Sequence, residues 1–252
     1  MKQRIITSVI ALSLLATVPA WGQTTVIKRT ETKQAAKPKT VNQWEYKDDY
    51  RDGLALVKDK NGKYGFVDKS GKLVIPCQWE WAAPFYEGLA YVKGNNDKFG
   101  FVDKSGILVS PCQWNWAWIC SEGLALVQDN NWKCGFIDKS GNLVIPCQWD
   151  GDGRSFFSEG LAPVKDEKRK YGFIDKSGNL VIPCQWEYAW PFSEGLAIVK
   201  DANDKYGYID KTGNVVIPCQ WKCAQDYKNG KAHVEDNNGK YYYIDKTGKK
   251  VE

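Results

Sequence analysis

Histidine and methionine are almost missing from this chain, with one of each in 252 residues. A lone imidazole, His233, weakens any case for histidine-based catalysis or a histidine-rich metal site. No Cys-x-x-Cys pair occurs, which removes the spacing used by zinc ribbons and dithiol redox centres. Charge of one sign is also lacking: 35 basic and 30 acidic residues give a net +5. Without Lys2 and Arg4 the balance is 33 to 30, or +3, too even to argue for nucleic acid. Only one apolar run is present, Ile5 to Val18, and it is too short to span a bilayer comfortably.

That run follows Lys2 and Arg4 and precedes small residues, the pattern of an export signal. Val18-Pro19-Ala20 suits cleavage after Ala20, and Ala20-Trp21-Gly22 suits cleavage after Gly22. No cysteine occurs before Cys77, so no lipid-attachment cysteine stands at the signal. The sequence therefore predicts a signal peptide over 1–22, a polar flexible linker over 23–43 and a folded domain over 44–252. The expected location is outside the cytoplasm: periplasm, cell surface or medium.

What the chain has in quantity is glycine and aromatics: 23 Gly, 13 Tyr and 12 Trp, a balance for turns and strands. These residues recur. Gly-Leu-Ala begins at Gly53, Gly88, Gly123, Gly160 and Gly195, with a degenerate copy at Gly230, at spacings of 35, 35, 37, 35 and 35. Asp-Lys-Ser/Thr-Gly recurs at Asp68, Asp103, Asp138, Asp175, Asp210 and Asp245. Pro-Cys-Gln-Trp recurs at Pro76, Pro111, Pro146, Pro183 and Pro218. Six periods run from Trp44 to Val251, and the two extra residues of the fourth fall between Asp150 and Ser158.

Each period reads as a three-stranded meander, in the first copy 54–57, 63–67 and 72–75, rich in β-branched and aromatic residues. Asp68-Lys69-Ser70-Gly71 joins the last two as a type I turn plus bulge, with Asp bonding the backbone ahead and Gly taking positive φ. Gly71, Gly106, Gly141, Gly178, Gly213 and Gly248 hold this structural position. Cys77, Trp79 and Trp81 alternate with polar residues after Pro76, which reads as a short fourth strand or an extended link, with Pro76 marking an edge or a strand end. The expected fold is all-β: six units of about 35 residues stacked as an open, superhelical solenoid-like array. The alternative is a closed six-bladed propeller-like ring, to which the mid-unit start at Trp44 lends support.

Phe85-Tyr86-Glu87-Gly88-Leu89-Ala90 followed by Lys98-Phe99-Gly100-Phe101-Val102-Asp103-Lys104-Ser105-Gly106 resembles the bacterial WG-repeat (KWG-type) family. The resemblance covers about 208 residues and recurs six times. It implies an exported or surface-associated β-repeat protein, a family without one assigned biochemistry. The naming Trp-Gly dipeptide is altered here: Tyr64, Phe99, Cys134, Tyr171 and Tyr206 replace the Trp, and the last copy reads Tyr241-Tyr242.

The candidate residues sort by whether they repeat. Trp44, Trp79, Trp114, Trp149, Trp186 and Trp221 are the repeated tryptophans and read as inter-repeat core. Trp81, Trp116, Trp118, Trp132 and Trp190 are not strictly repeated and are the candidate binding platforms. The Asp-Lys rows read as turn caps on a solvated face, with an ion ladder as the sharper alternative. Asp150-Gly151-Asp152-Gly153 resembles the start of a calcium loop but lacks the downstream ligands. His233 occupies the strand position of Leu56, Tyr91, Leu126 and Ile198, near a C-terminal cap. Cys77, Cys112, Cys147, Cys184 and Cys219 repeat and read as small buried hydrophobes rather than nucleophiles.

Two cysteines stand out in the third repeat. Cys120 replaces the aromatic found at Phe85, Phe157, Phe192 and Tyr227, and Cys134 the one at Tyr64, Phe99, Tyr171 and Tyr206. Paired losses of bulk in an exported protein predict either a Cys120–Cys134 disulfide or two independent substitutions. The functional expectation is a non-catalytic binding or scaffolding surface for an envelope protein or a glycan, with no cofactor, metal, nucleic acid or membrane span after signal removal. A purely structural spacer is the first alternative and an enzyme the remote one.

Overall fold

The computed structural model describes residues 44–151 and 155–251, all within the compact unit Asn42–Glu252. The expected signal and linker lie outside the described residues. Among the described residues every regular element is a β-strand, and no helix is long and apolar enough to cross a membrane.

The unit is a four-stranded antiparallel meander rather than a three-stranded one. In the first repeat the strands are Tyr46–Arg51, Leu54–Lys58, Tyr64–Asp68 and Leu73–Trp79, hydrogen-bonded in that order. The extra strand is the end of the link. In the second, fifth and sixth repeats it is only two residues long: Trp81–Ala82, Tyr188–Ala189 and Cys223–Ala224. The last strand runs past Pro76 to Trp79, and proline is tolerated there because the strand is an edge.

The Asp-Lys-Ser/Thr-Gly turn forms as the sequence predicts. Asp68 Oδ1 accepts from the amides of Ser70 at 2.8 Å and Lys72 at 3.0 Å, and Gly71 sits at φ +85°. The glycine of the naming dipeptide has a different role. Pairing jumps from Tyr64 opposite Trp79 to Phe66 opposite Ile75, so Gly65 alone faces Pro76, Cys77 and Gln78 across a bulge. A Cβ on Gly65 would stand 2.6 Å from the Ile75 carbonyl oxygen and 2.8 Å from the Cys77 nitrogen. Gly100, Gly135, Gly172 and Gly207 repeat this geometry. The last copy has Tyr242 at this position, and the described part of its partner strand, Lys250–Val251, pairs only with Tyr243 and Ile244.

Successive repeats bury both faces of the two middle strands of the inner sheets, which explains their unbroken apolar runs. Leu54, Leu56, Phe66 and Ile75 of the first repeat pack on Ala82, Phe85, Ala90, Val92 and Val102 of the second. A ring pair crosses four of the five junctions: Phe66–Phe85 at 4.7 Å, Phe136–Phe157 at 4.9 Å, Phe173–Phe192 at 4.9 Å and Tyr208–Tyr227 at 5.0 Å.

A polar hook accompanies this packing. Glu87, at φ 49°, accepts from the amides of Glu122 and Gly123 in the next repeat, both at 2.8 Å, and pairs with Lys139 at 3.3 Å. Glu122 accepts from Gly160 at 3.0 Å and pairs with Lys176 at 3.1 Å. Glu159 and Glu194 repeat the arrangement with Gly195 and Lys211, and with Gly230 and Lys246. Asp52 serves Gly88 at 2.7 Å at the first junction. The lysine of each of these Asp-Lys pairs thus reaches back to an earlier repeat, while the aspartate caps its own turn.

Two repeats depart from the pattern. Among the described residues the fourth shows no separate first strand, and the third and fourth merge into a seven-stranded sheet through Asp150 opposite Lys165. Pro163 stands where Ile198 accepts from the Trp190 amide, so the side of the strand that would bond a first strand has no N–H to offer. The sixth repeat departs by the polarity of its outward face. Its outward face carries Lys231, His233 and Tyr243 where the first repeat has Leu54, Leu56 and Phe66, and Tyr243 is 51% exposed. Asn229 replaces the hooking glutamate. Among the described residues no strand of the first repeat pairs with one of the last. A polar end face is what a terminal stacking unit requires and what a ring junction would not tolerate.

The Cys120–Cys134 disulfide is not formed. Cys120 pairs with Ala125 and Cys134 with Gln128, on the two strands that flank Leu124–Gln128, so two strand spacings of roughly 4.8 Å each lie between them. They also face opposite ways: Cys120 packs at the junction with the second repeat and Cys134 at the junction with the fourth. The separation exceeds the ~7 Å Cα limit for a bridge.

Gly172→Ala should destabilise the domain by about 1–3 kcal/mol, because the new methyl runs into the Ile182 carbonyl oxygen. Urea unfolding measures it, and a stability equal to wild type would rule out the bulge as the reason for glycine. Acid should weaken the array. Glu194 is held below the usual carboxylate range by the Gly230 amide, then the Asn229 amide and Lys246. Asp210 is lowered by the Thr212 hydroxyl and the amides of Asn214 and Thr212, and the other five turn aspartates shift the same way. A carboxyl lowered by folding contributes stability above its unfolded value of about 4 and loses it as pH falls through the folded value. The melting temperature should therefore drop as pH is taken from about 5 towards about 3, and less steeply in Glu194→Gln.

Candidate aromatic binding cleft

The first strand of each repeat places residues two apart on the same side. In the third repeat, where that strand is Trp116–Ser121, these are Trp116 and Trp118. Their rings lie 6.5 Å apart and 19° from parallel. The preceding repeat supplies Trp81, Tyr91 and Phe99. Phe99 meets Trp116 at 5.5 Å, Tyr91 meets Trp118 at 6.5 Å, and Trp81 stands 5.2 Å from Tyr91. Together they line a cleft of about 480 Å³ with Glu80 and Lys93 at its rim. Trp81 and Trp116 are each 38% exposed, enough to present ring faces to a ligand. Burial pushes the Tyr91 hydroxyl up to about 12, so it stays protonated and able to donate.

Three of the five predicted platforms, Trp81, Trp116 and Trp118, are thus brought together. Trp132 is not among the residues lining the cleft. It occupies a hairpin position at φ 63°, 66% exposed, where the first repeat has Gly62. Trp190 lies two repeats on, near-parallel to Tyr188 at 6.0 Å, and donates its indole N–H to Asp226 at 3.1 Å.

Two small side chains distinguish the junction beneath the cleft. Cys120 stands where other junctions have a ring, and Ser110 where they have isoleucine. Ser110 is fully buried and accepts from the Trp114 indole N–H at 2.9 Å. The indole N–H groups of Trp79, Trp149, Trp186 and Trp221, beside isoleucine, are buried without a partner among the described residues. With less volume in between, the turn of the third repeat comes down onto backbone. A Cβ on Gly141 would overlap the Val109 oxygen, whereas at Gly106, Gly178, Gly213 and Gly248 it would meet an isoleucine side chain at 3.2–3.4 Å. The aromatic edges of the second and third repeats meet above this thinner junction, as Tyr171 and Tyr188 meet at 5.6 Å across the fourth and fifth.

Trp79, Trp114, Trp149, Trp186 and Trp221 pack in or against the junction clusters, and Trp44 packs against Ala55, Val57 and Val67 of its own repeat. His233 is flanked by Tyr241 at 5.1 Å and Tyr243 at 5.0 Å on the end face. Burial pushes the Cys147, Cys184 and Cys219 thiols up to about 11, so they are protonated at neutral pH. Of the calcium-like loop, Asp152 and Gly153 lie outside the described residues, and Asp150 is engaged by Lys133 at 2.6 Å. A different surface runs along the edge strands, where Leu73, Val74, Leu143, Val144, Leu180 and Val181 are each more than a third exposed.

No curated protein compared with the chain matches it. Among solved structures, the computationally designed Ika8 protein is similar with a TM-score of 0.50 at 9% identity, over 81% of this chain and 72% of that one. BamB from Moraxella catarrhalis gives 0.47 at 12% identity over 79% and 70%, and the WD40 β-propeller domain of Doa1 gives 0.37 at 10% over 83% and 85%. These likenesses concern the fold alone. The family model for the WG containing repeat matches five successive segments, residues 64–99, 99–131, 135–169, 171–206 and 206–241. The chain belongs to the WG-containing repeat family.

Proposed function

We propose that this protein is an exported, non-catalytic binding module whose cleft between the second and third repeats takes a sugar ring of an envelope glycan. The observation that carries the reading is the group of five rings, Trp81, Tyr91, Phe99, Trp116 and Trp118, lining one open cleft at a junction. A pyranose has one face of C–H groups and a rim of hydroxyls. The C–H face suits an aromatic floor, and the rim suits Glu80, Lys93 and the Tyr91 hydroxyl. A cleft that is mostly apolar with a few convergent polar groups is the general form of a small-ligand site.

A second reading, scaffolding of another envelope protein, is favoured by the exposed apolar edge along Leu73, Val74, Leu143, Val144, Leu180 and Val181. A glycan array and an envelope pull-down with the signal-free protein separate the two. Glycan binding should fall about tenfold in Trp116→Ala, while pull-down of a protein should respond to Val144→Lys and Val181→Lys and not to Trp116→Ala. Full glycan binding by Trp116→Ala would refute the cleft.

A further inference from the structure

We propose a second saccharide subsite at the junction of the fifth and sixth repeats, built on Tyr188, Trp190 and Asp226. It rests on the reading of the first cleft as a glycan site and extends it to a place with its own polar anchor. Tyr188-Ala189-Trp190 stands seven to five residues before its Gly-Leu-Ala, the register that Trp116-Ala117-Trp118 holds in the third repeat. The two ring pairs share their geometry: 6.0 Å and 19° here, 6.5 Å and 19° there. Both are near-parallel strips of a size to floor one sugar ring.

The surroundings differ. The cleft beside Trp190, about 740 Å³, continues over Tyr206 and is bounded by Gln225, Asp226 and Lys228. The Trp190 indole N–H donates to Asp226 Oδ2 at 3.1 Å, which fixes the carboxylate at the edge of the aromatic floor. Its second oxygen is then placed to accept from a ligand hydroxyl, and charge-assisted bonds of this kind are the stronger ones. Partial desolvation pushes the Asp226 carboxyl up from the usual aspartate value despite the indole N–H, although the side chain still reaches solvent.

Charge selects the ligand class. A cation would meet Lys228 at the rim. An anion would meet Asp226. A neutral polyol with one apolar face meets neither penalty, stacks on Tyr188 and Trp190, and bonds Asp226, Gln225 and Lys228 through its hydroxyls.

Titration calorimetry of the full chain with hexasaccharides of β-1,4-linked N-acetylglucosamine and of α-1,4-linked glucose tests this. At least one should bind with two equivalents. Asp226→Ala and Trp190→Ala should each weaken one equivalent tenfold or more and leave the other unchanged, and Trp116→Ala should do the reverse. Asp226→Ala changes an exposed side chain, so its melting curve should match wild type and separate loss of binding from loss of fold. Two-equivalent binding untouched by Asp226→Ala and Trp190→Ala, or one-equivalent binding abolished by Trp116→Ala alone, overturns the second subsite and leaves the first reading standing. No binding of either hexasaccharide by the wild-type chain overturns both.

Discussion

Every junction depends on one short polar contact: a carboxylate of one repeat accepting the amide that opens the next. At the four junctions after the first a glutamate supplies it, with φ at 49° in Glu87, 52° in Glu122 and Glu194, and 55° in Glu159. Positive φ is a costly setting for a side chain of this kind. That setting turns the carboxylate towards the Gly-Leu-Ala strand of the following repeat, where charge-assisted bonds and a lysine compensate. The apolar faces are alike from repeat to repeat and would slide against one another if hydrophobic contact alone aligned them. The hook sets their register, and with it the position of each first strand and the rings it carries.

On this frame, the cleft is a local exception in volume. Cys120 removes a ring and Ser110 a branched aliphatic at the same junction, and the two repeats close over the difference. The neighbouring junctions keep their ring pairs, at 4.7 Å on one side and 4.9 Å on the other. Ser110 also resolves an electrostatic defect, since its hydroxyl takes the indole N–H that isoleucine leaves unpartnered elsewhere. What sets the candidate cleft apart in this repetitive scaffold is the ring set on its edge strands, with Trp81 and Trp116 partly exposed, above a junction made thinner by two small side chains.

The period, the turns and the end cap were legible in the sequence because each rests on local chemistry copied six times. Asp and Gly at the turn corners act within four residues, and the polar Lys231 and His233 stand where every inner repeat needs packing. The fourth strand was not legible as such, since two residues such as Trp81 and Ala82 show no alternation to read. The hooking glutamates were also in plain view, with Glu at 87, 122, 159 and 194 and Asn only at 229. Their meaning depends on a bond to a neighbouring repeat, and periodicity alone does not say which repeated residue reaches across. The pairing of Cys120 with Cys134 failed for a related reason: shared loss of bulk locates two positions in the unit but not the face of the sheet each one occupies.

The side-chain bonds that cross junctions join residues 17 to 54 positions apart. For an all-β chain of this length those are short loops to close, so the entropy of ordering is met in small instalments rather than in one long-range step. A repeat leaving the ribosome already has its hook waiting on the repeat before it. The array can grow in the order of synthesis, each new sheet settling on a finished one.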